Sequence, residues 1–222
     1  MKPIVIASNF IIMCLWTWFV SLFEGKIALY KPFGHRAIPL RAKPGYISFR
    51  QWSQAAMLEV ARSSPGVVTV RDKIWVFGGL RRRQVLTSCC SYDPQTDCWT
   101  KISDLPEKIA YFSLVSAGQQ VWILGGFGQD YTARDSTFCY DTVTDQFSQG
   151  PSLNSARKGA FSFVQDNCIY VCGGSVDGMN FLNTIEVMNL TSREGWREQK
   201  MNMNHFNTNM VSVTALFPVR FL

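Results

Sequence analysis

Metal binding and acid–base catalysis need histidine, cysteine and carboxylate groups at short, regular spacings, and this 222-residue chain offers few of them. The two histidines, His35 and His205, stand far apart. The seven cysteines (Cys14, Cys89, Cys90, Cys98, Cys139, Cys168, Cys172) are odd in number and follow no disulfide-framework spacing. Cys168 and Cys172 have no His or further Cys pair near them, so a four-ligand zinc site finds no support. Reduced thiols are the expectation. No nucleophile elbow, phosphate loop or dinucleotide fingerprint occurs. The chain is therefore expected not to be an enzyme and to carry no metal or cofactor. What it does concentrate is side chains suited to recognition. Arg81-Arg82-Arg83 sets three guanidinium groups side by side, matched to carboxylates or phosphate. Asp130, Tyr131 and Arg134 form a second group, and Asp177, Met179, Asn180 and Phe181 a third. Arg, Tyr, Phe and Met are the materials of binding hot spots, and the competing reading is a set of solvated loops.

The elements that position these groups are repeated. Double glycines fall at Gly78-Gly79, Gly125-Gly126 and Gly173-Gly174, 47 and 48 residues apart. Each follows an apolar run: Ile74 to Phe77, Val121 to Leu124, Ile169 to Cys172. Downstream come Tyr92-Asp93, Tyr140-Asp141 and Met188-Asn189, then Trp99, Phe147 and Trp196. Tyr46 and Trp52 fit the last half of the same unit. Leu58, Leu105, Leu153 and Met201 mark a further register, followed by Arg62, Ile109, Arg157 and His205. Registers kept in step over this distance define a repeat. In the middle unit, 112–117, 121–124, 136–140 and 146–148 read as four short strands separated by turn residues. Nothing after residue 60 carries a sustained helical period. Four strands in about fifty residues, ending in an aromatic, build a β-propeller blade. Arg62 and Arg157 recur at one register, which favours a packing role over ligand contact.

On these residues the chain resembles the Kelch-repeat proteins, and most of all the propellers of Kelch-like proteins that follow BTB and BACK domains. It departs from the pattern at Ile109, at Phe147 and at Met188-Asn189. The resemblance implies an all-β fold, an incomplete Kelch propeller of about three full blades over residues 46–216, with 217–222 as a tail. It implies that the loops after the double glycines (80–86, 127–135, 175–183) share one face and form the partner surface. Copper oxidases on the same propeller need a His/Tyr/Cys constellation that this chain lacks. The function implied is protein binding, as in substrate selection for a cullin-RING ubiquitin ligase, with an actin-binding or membrane-tethered scaffold as the alternative. No BTB region is visible in residues 1–45, and the chain is expected to be a truncated form whose open propeller edges favour self-association.

The first residues read differently. Positions 4–23 form an uncharged run of twenty, with Trp16, Trp18 and Phe19 toward one end. A helix of this length spans a bilayer core of roughly 30 Å. Residues 1–25 are expected to be a transmembrane helix and 26–45 a basic, Pro-containing linker. Lys26, Lys31, Arg36, Arg41 and Lys43 would hold the propeller on the cytoplasmic side; a cytoplasmic chain without an anchor is the alternative. The formal charge is +6, but residues 63–222 carry fourteen Lys/Arg against fourteen Asp/Glu. A neutral repeat region gives no warrant for a general nucleic-acid surface and leaves the arginine triplet as a local feature, suited to an acidic segment of a protein partner.

Overall fold

The computed structural model describes residues 53–192 and 194–200, with side chains from Ala55 onward, and the backbone of residues 11–14, 19–23 and 26–30. The chain divides into two compact units at Ala61 and Arg62. In the first, β1 (Ile11–Cys14), β2 (Phe19–Phe23), β3 (Lys26–Tyr30) and β4 (Ser53–Gln54) form an antiparallel sheet in that order. This corrects the helix expected over 4–23: where that run is described it is extended, and residues 4–10 and 15–18 lie outside the described residues. Ile11, Ile12, Phe19, Val20 and Phe23 are β-branched or aromatic residues that favour a pleated strand. An uncharged run does not by its period separate a buried helix from short buried strands. Among the described residues no helix is long and apolar enough to cross a membrane. Lys26–Tyr30, expected as linker, is a strand, and residues 31–45 lie outside the described residues.

The second unit holds three repeat sheets. Sheet 1 is β5 (Gly66–Val70), β6 (Lys73–Phe77), β9 (Cys89–Asp93) and β10 (Cys98–Ile102), with a small hairpin, β7 (Leu80–Arg81) and β8 (Gln84–Val85), inserted after β6. Sheet 2 is β11 (Ser113–Ala117), β12 (Gln120–Leu124), β13 (Thr137–Asp141) and β14 (Gln146–Gln149). Sheet 3 is β15 (Phe161–Gln165), β16 (Cys168–Cys172), β17 (Thr184–Asn189) and β18 (Arg197–Lys200). All neighbours are antiparallel, and the observed strands of sheet 2 agree with the expected ones to within a residue. The first strands β5, β11 and β15 lie side by side, and the buried Ser113 hydroxyl donates to Ser162 Oγ at 2.6 Å.

The core lies between the sheets. Trp75 and Phe77 of sheet 1 pack on Val121, Ile123 and Tyr140 of sheet 2. Trp122 and Leu124, on the other face of sheet 2, pack on Ile169, Val171 and Met188 of sheet 3. Burying each such side chain contributes about 1.5–3 kcal/mol. The repeated polar residues are internal fittings. Tyr92 and Tyr140 donate their hydroxyls to Asp97 and Asp145 at 2.5 and 2.7 Å. Asp141 Oδ1 accepts from the Val143 and Thr144 amides and closes the last turn of sheet 2; Asn189 does the same in sheet 3 for Thr191 and Ser192. The asparagine thus keeps the acceptor, while Met188 keeps the burial of the tyrosine it replaces.

Candidate functional site

The double glycines make the loop face possible. Gly126 has φ 103°, and a Cβ there would sit 2.7 Å from Ala110 O. Gly79 has φ 101°, with Ser63 O at 2.8 Å from the same imagined atom. Only a residue without a side chain lets the crossing chain between sheets come this close. The residue after each pair then exchanges two backbone bonds with that crossing: Leu80 with Ser63, Phe127 with Ala110, Ser175 with Lys158, all at 2.8–2.9 Å. Loops and crossings are thereby laced together at one end of the three sheets.

Buried arginines anchor the crossings. Arg62 Nη1 donates to Gly78 O at 2.9 Å and to Ser88 O at 2.5 Å. Arg157, fully buried, donates to Gly173 O at 2.8 Å and to Glu186 Oε1 at 2.5 Å. Glu186 also accepts from the Asn154 and Ser155 amides at 2.6 and 3.1 Å. Sheet 2 has buried Ile109 at this register. These arginines are packing donors, as their recurrence suggested.

On this frame the candidate residues separate into two groups. Arg81, Arg82 and Arg83 are exposed on the β7–β8 hairpin. Tyr131, half exposed, stacks on Phe127 at 5.4 Å between ring centroids, and Phe127 stacks on Tyr111 at 5.1 Å. Lys158 holds this platform together: its Nζ donates to Tyr131 O at 3.2 Å and lies 5.6 Å from the Phe127 ring centroid. Met179 and Phe181 are exposed on the third loop, beside Val176. The second group is consumed internally. Asp130 accepts from Thr132 and from Arg134, whose Nε also donates to Glu107 at 3.1 Å. The Thr132 hydroxyl first, and then Arg134, push the Asp130 carboxyl down to about 2. Asp177 accepts from the Met179 and Asn180 amides and from the Asn180 side chain. Asp130, Arg134, Asp177 and Asn180 shape their loops, while the arginine triplet, Tyr131, Met179 and Phe181 project from them.

Sequence reasoning missed Tyr111 and Phe127 as parts of the face. Tyr111 was legible as a large ring two residues beyond Ile109, in the crossing that every repeat lays against its double glycine. Gln129 was also missed. Its Oε1 accepts from Val85 N at 2.9 Å and its Nε2 donates to Arg83 O at 3.2 Å, tying the second loop to the arginine hairpin. Among the described residues no cluster of three or more His, Cys, Asp or Glu side chains is placed to hold a metal ion. Burial pushes the Cys89 thiol up to about 12 and the Cys172 thiol up to about 11.

Four-stranded antiparallel sheets in this register, joined face to face and laced at the double glycine, are blades of a Kelch-type β-propeller. The chain belongs to the Kelch-repeat family: the model of the KLHDC2/KLHL20/DRC7 Kelch-repeats domain matches residues 47–216. Alpha-scruin of Limulus polyphemus is 23% identical over 216 residues, covering 84% of this chain and 23% of its own length. Kelch-like protein 35 of Mus musculus is 27% identical over 123 residues, covering 55% of this chain and 21% of its own. The chain thus spans about a fifth of these relatives. The solved structure of YjhT superposes with a TM-score of 0.71 at 15% identity, over 89% of this chain and 66% of that one, which shows the fold alone.

Proposed function

We propose that this chain is a non-catalytic protein-binding module that presents the loop-and-crossing face of its repeat sheets to a partner. The observation that carries the reading is the Tyr111–Phe127–Tyr131 stack, two of whose rings are about half exposed on a backbone held by paired hydrogen bonds. Rigid, amphipathic rings in solvent are what interface centres use, because little side-chain entropy is lost on binding. Exposed Met179 and Phe181 extend the apolar surface along the next loop. Proximity labelling with the full chain identifies partners, and capture by purified Tyr111→Ala and Tyr131→Ala variants tests the face. Loss of a central hot spot of about 2 kcal/mol weakens capture about thirtyfold. Undiminished capture by both variants would show that the face lies elsewhere. From the resemblance to Kelch-like proteins we further propose that the partner is a substrate delivered to a cullin-RING ubiquitin ligase. Ubiquitylation of the captured partner should then depend on the same two tyrosines, and indifference to both would sink this reading.

A further inference from the structure

The inference rests on the loop face being a protein-binding surface, and it narrows what that surface takes. In hairpin β7–β8, Arg81 pairs with Gln84, so Arg82 and Arg83 are the two turn residues. Both have left-handed backbone, with φ 48° and 67°. A two-residue turn left-handed at both positions is type I′, where Asn-Gly is least strained. The sequence instead puts two long cations there. Their side chains are exposed, and among the described residues no ion pair or side-chain hydrogen bond engages Arg81, Arg82 or Arg83. Asp104 pairs with Lys101, and Glu107 and Asp130 pair with Arg134.

The mount beneath these cations is nevertheless firm. Leu86 N donates to Gly79 O at 2.9 Å, Gln129 clamps Val85 and Arg83, and Val85 is buried with Leu80, Ala110 and Phe127. Phe127 is therefore shared between the hairpin's small core and the aromatic stack. We propose that the face takes an extended acidic peptide segment of a protein partner. Its carboxylates would lie over Arg81–Arg83 and an apolar or aromatic side chain over Tyr111–Phe127–Tyr131. Free guanidinium groups on a firm backbone mount suit bidentate carboxylate contacts without the cost of ordering the loop. The charge balance of the repeat region, fourteen of each sign over residues 63–222, favours a local acidic segment over a nucleic acid that needs a basic track.

The test uses the full chain and fluorescent synthetic peptides in anisotropy titrations. One peptide carries Asp and Glu around a single Phe, and its control has each acid replaced by the amide. The acidic peptide should bind about tenfold or more tighter at low salt, with the gap narrowing as salt rises. Arg82→Asn with Arg83→Gly installs the preferred turn pair, so Tm should hold or rise while most of the gap disappears. Equal affinity for the two peptides would overturn the inference, as would a gap that survives in this variant. A single-stranded oligonucleotide or heparin binding as tightly as the acidic peptide would replace it with a polyanion site. Tyr131→Ala should weaken both peptides alike. If it does so while acids bring no gain, the acidic preference alone fails. If it does nothing while the gap holds, the arginine site stands and the aromatic reading of the face fails.

Discussion

The pair Arg157–Glu186 allows a quantitative test of how the repeat is held. Both side chains are fully buried. Replacing Glu186 by Leu leaves a buried guanidinium with only neutral partners, the Gly173 and Ser155 carbonyls and Thr184. Removing one partner of such a pair costs about 3–5 kcal/mol. Replacing Arg157 by Met leaves a buried carboxylate that keeps the Asn154 and Ser155 amides, so about 3 kcal/mol is expected. The singles would sum to about 6–8 kcal/mol, half or more of a typical domain stability. The double variant removes both charges and mainly orphans two amides, one of them on exposed Asn154, at about 2 kcal/mol in all. Sheet 2 already uses this solution, with buried Ile109 and Phe138 at the corresponding positions. A coupling of about 4 kcal/mol or more is therefore expected from a double-mutant cycle. Urea unfolding followed by tryptophan fluorescence reads it, since Trp122 and Trp196 lie in the adjoining core. Additive singles, or singles below about 1 kcal/mol, would refute the reasoning that the pair is dry and mutually dependent.

Three further outcomes follow from single sites. Gly126→Ala should lower stability by about 2 kcal/mol or more in thermal melts, whereas Gly118→Ala, left-handed but with open space around it, should cost about 1 kcal/mol; equal losses would remove the steric argument. Among the described cysteines, maleimide mass spectrometry near neutral pH should modify exposed Cys98 first and leave Cys89 and Cys172 untouched until unfolding, since burial raises their thiols to about 12 and about 11; early labelling of Cys89 would contradict its burial. The Asp130 carboxyl is held down, so its support of the 128–134 loop is complete above the unfolded value near 4 and is lost as pH falls through about 2. Amide exchange in that loop, corrected for intrinsic rates, should show constant protection from pH 7 to about 5, and a loss within that range would assign the loop's order to other groups.

The fold was legible because its signals repeat. Glycine pairs, Tyr-Asp turns and apolar runs at one period specify four strands and a lacing point, and Asn189 preserves an acceptor where the letter changes. The first residues were not legible in this way: an uncharged run gives hydrophobicity but not period, and residues that suggest a bilayer helix pair as β1 and β2. Among the candidate site residues, register placed all ten on one loop face but could not tell free charges from spent ones. That distinction depends on local spacing. Asp130-x-Thr132 and Asp177-x-Met179 have the form of turns in which a carboxylate caps its own backbone.

The remaining signal lies where the repeat breaks its own rules. Most left-handed non-glycine positions are filled by small polar residues that tolerate them: Ser64, Asp72, Asp97, Asp145, Asp166 and Asn167. Arg71, in the β5–β6 turn, is an exception off the loop face. The other exceptions are Arg82, Arg83, Tyr111 and Tyr131. Tyr111, with φ 53°, occupies the crossing position that Ser64 and Gly159 hold in the neighbouring sheets. A bulky residue in that conformation adds strain that a serine or glycine would avoid, and its half-exposed ring stacks on Phe127. All four of these residues sit on the loops and crossings of sheets 1 and 2, around Phe127 and Gln129. Local rules broken together at one surface support the binding role proposed for it. The variant Tyr111→Gly separates the two demands. It should raise Tm, because it relieves the backbone, and lower partner capture, because it removes a ring from the stack. A fall in Tm would show that the tyrosine serves the fold and would withdraw it from the binding face.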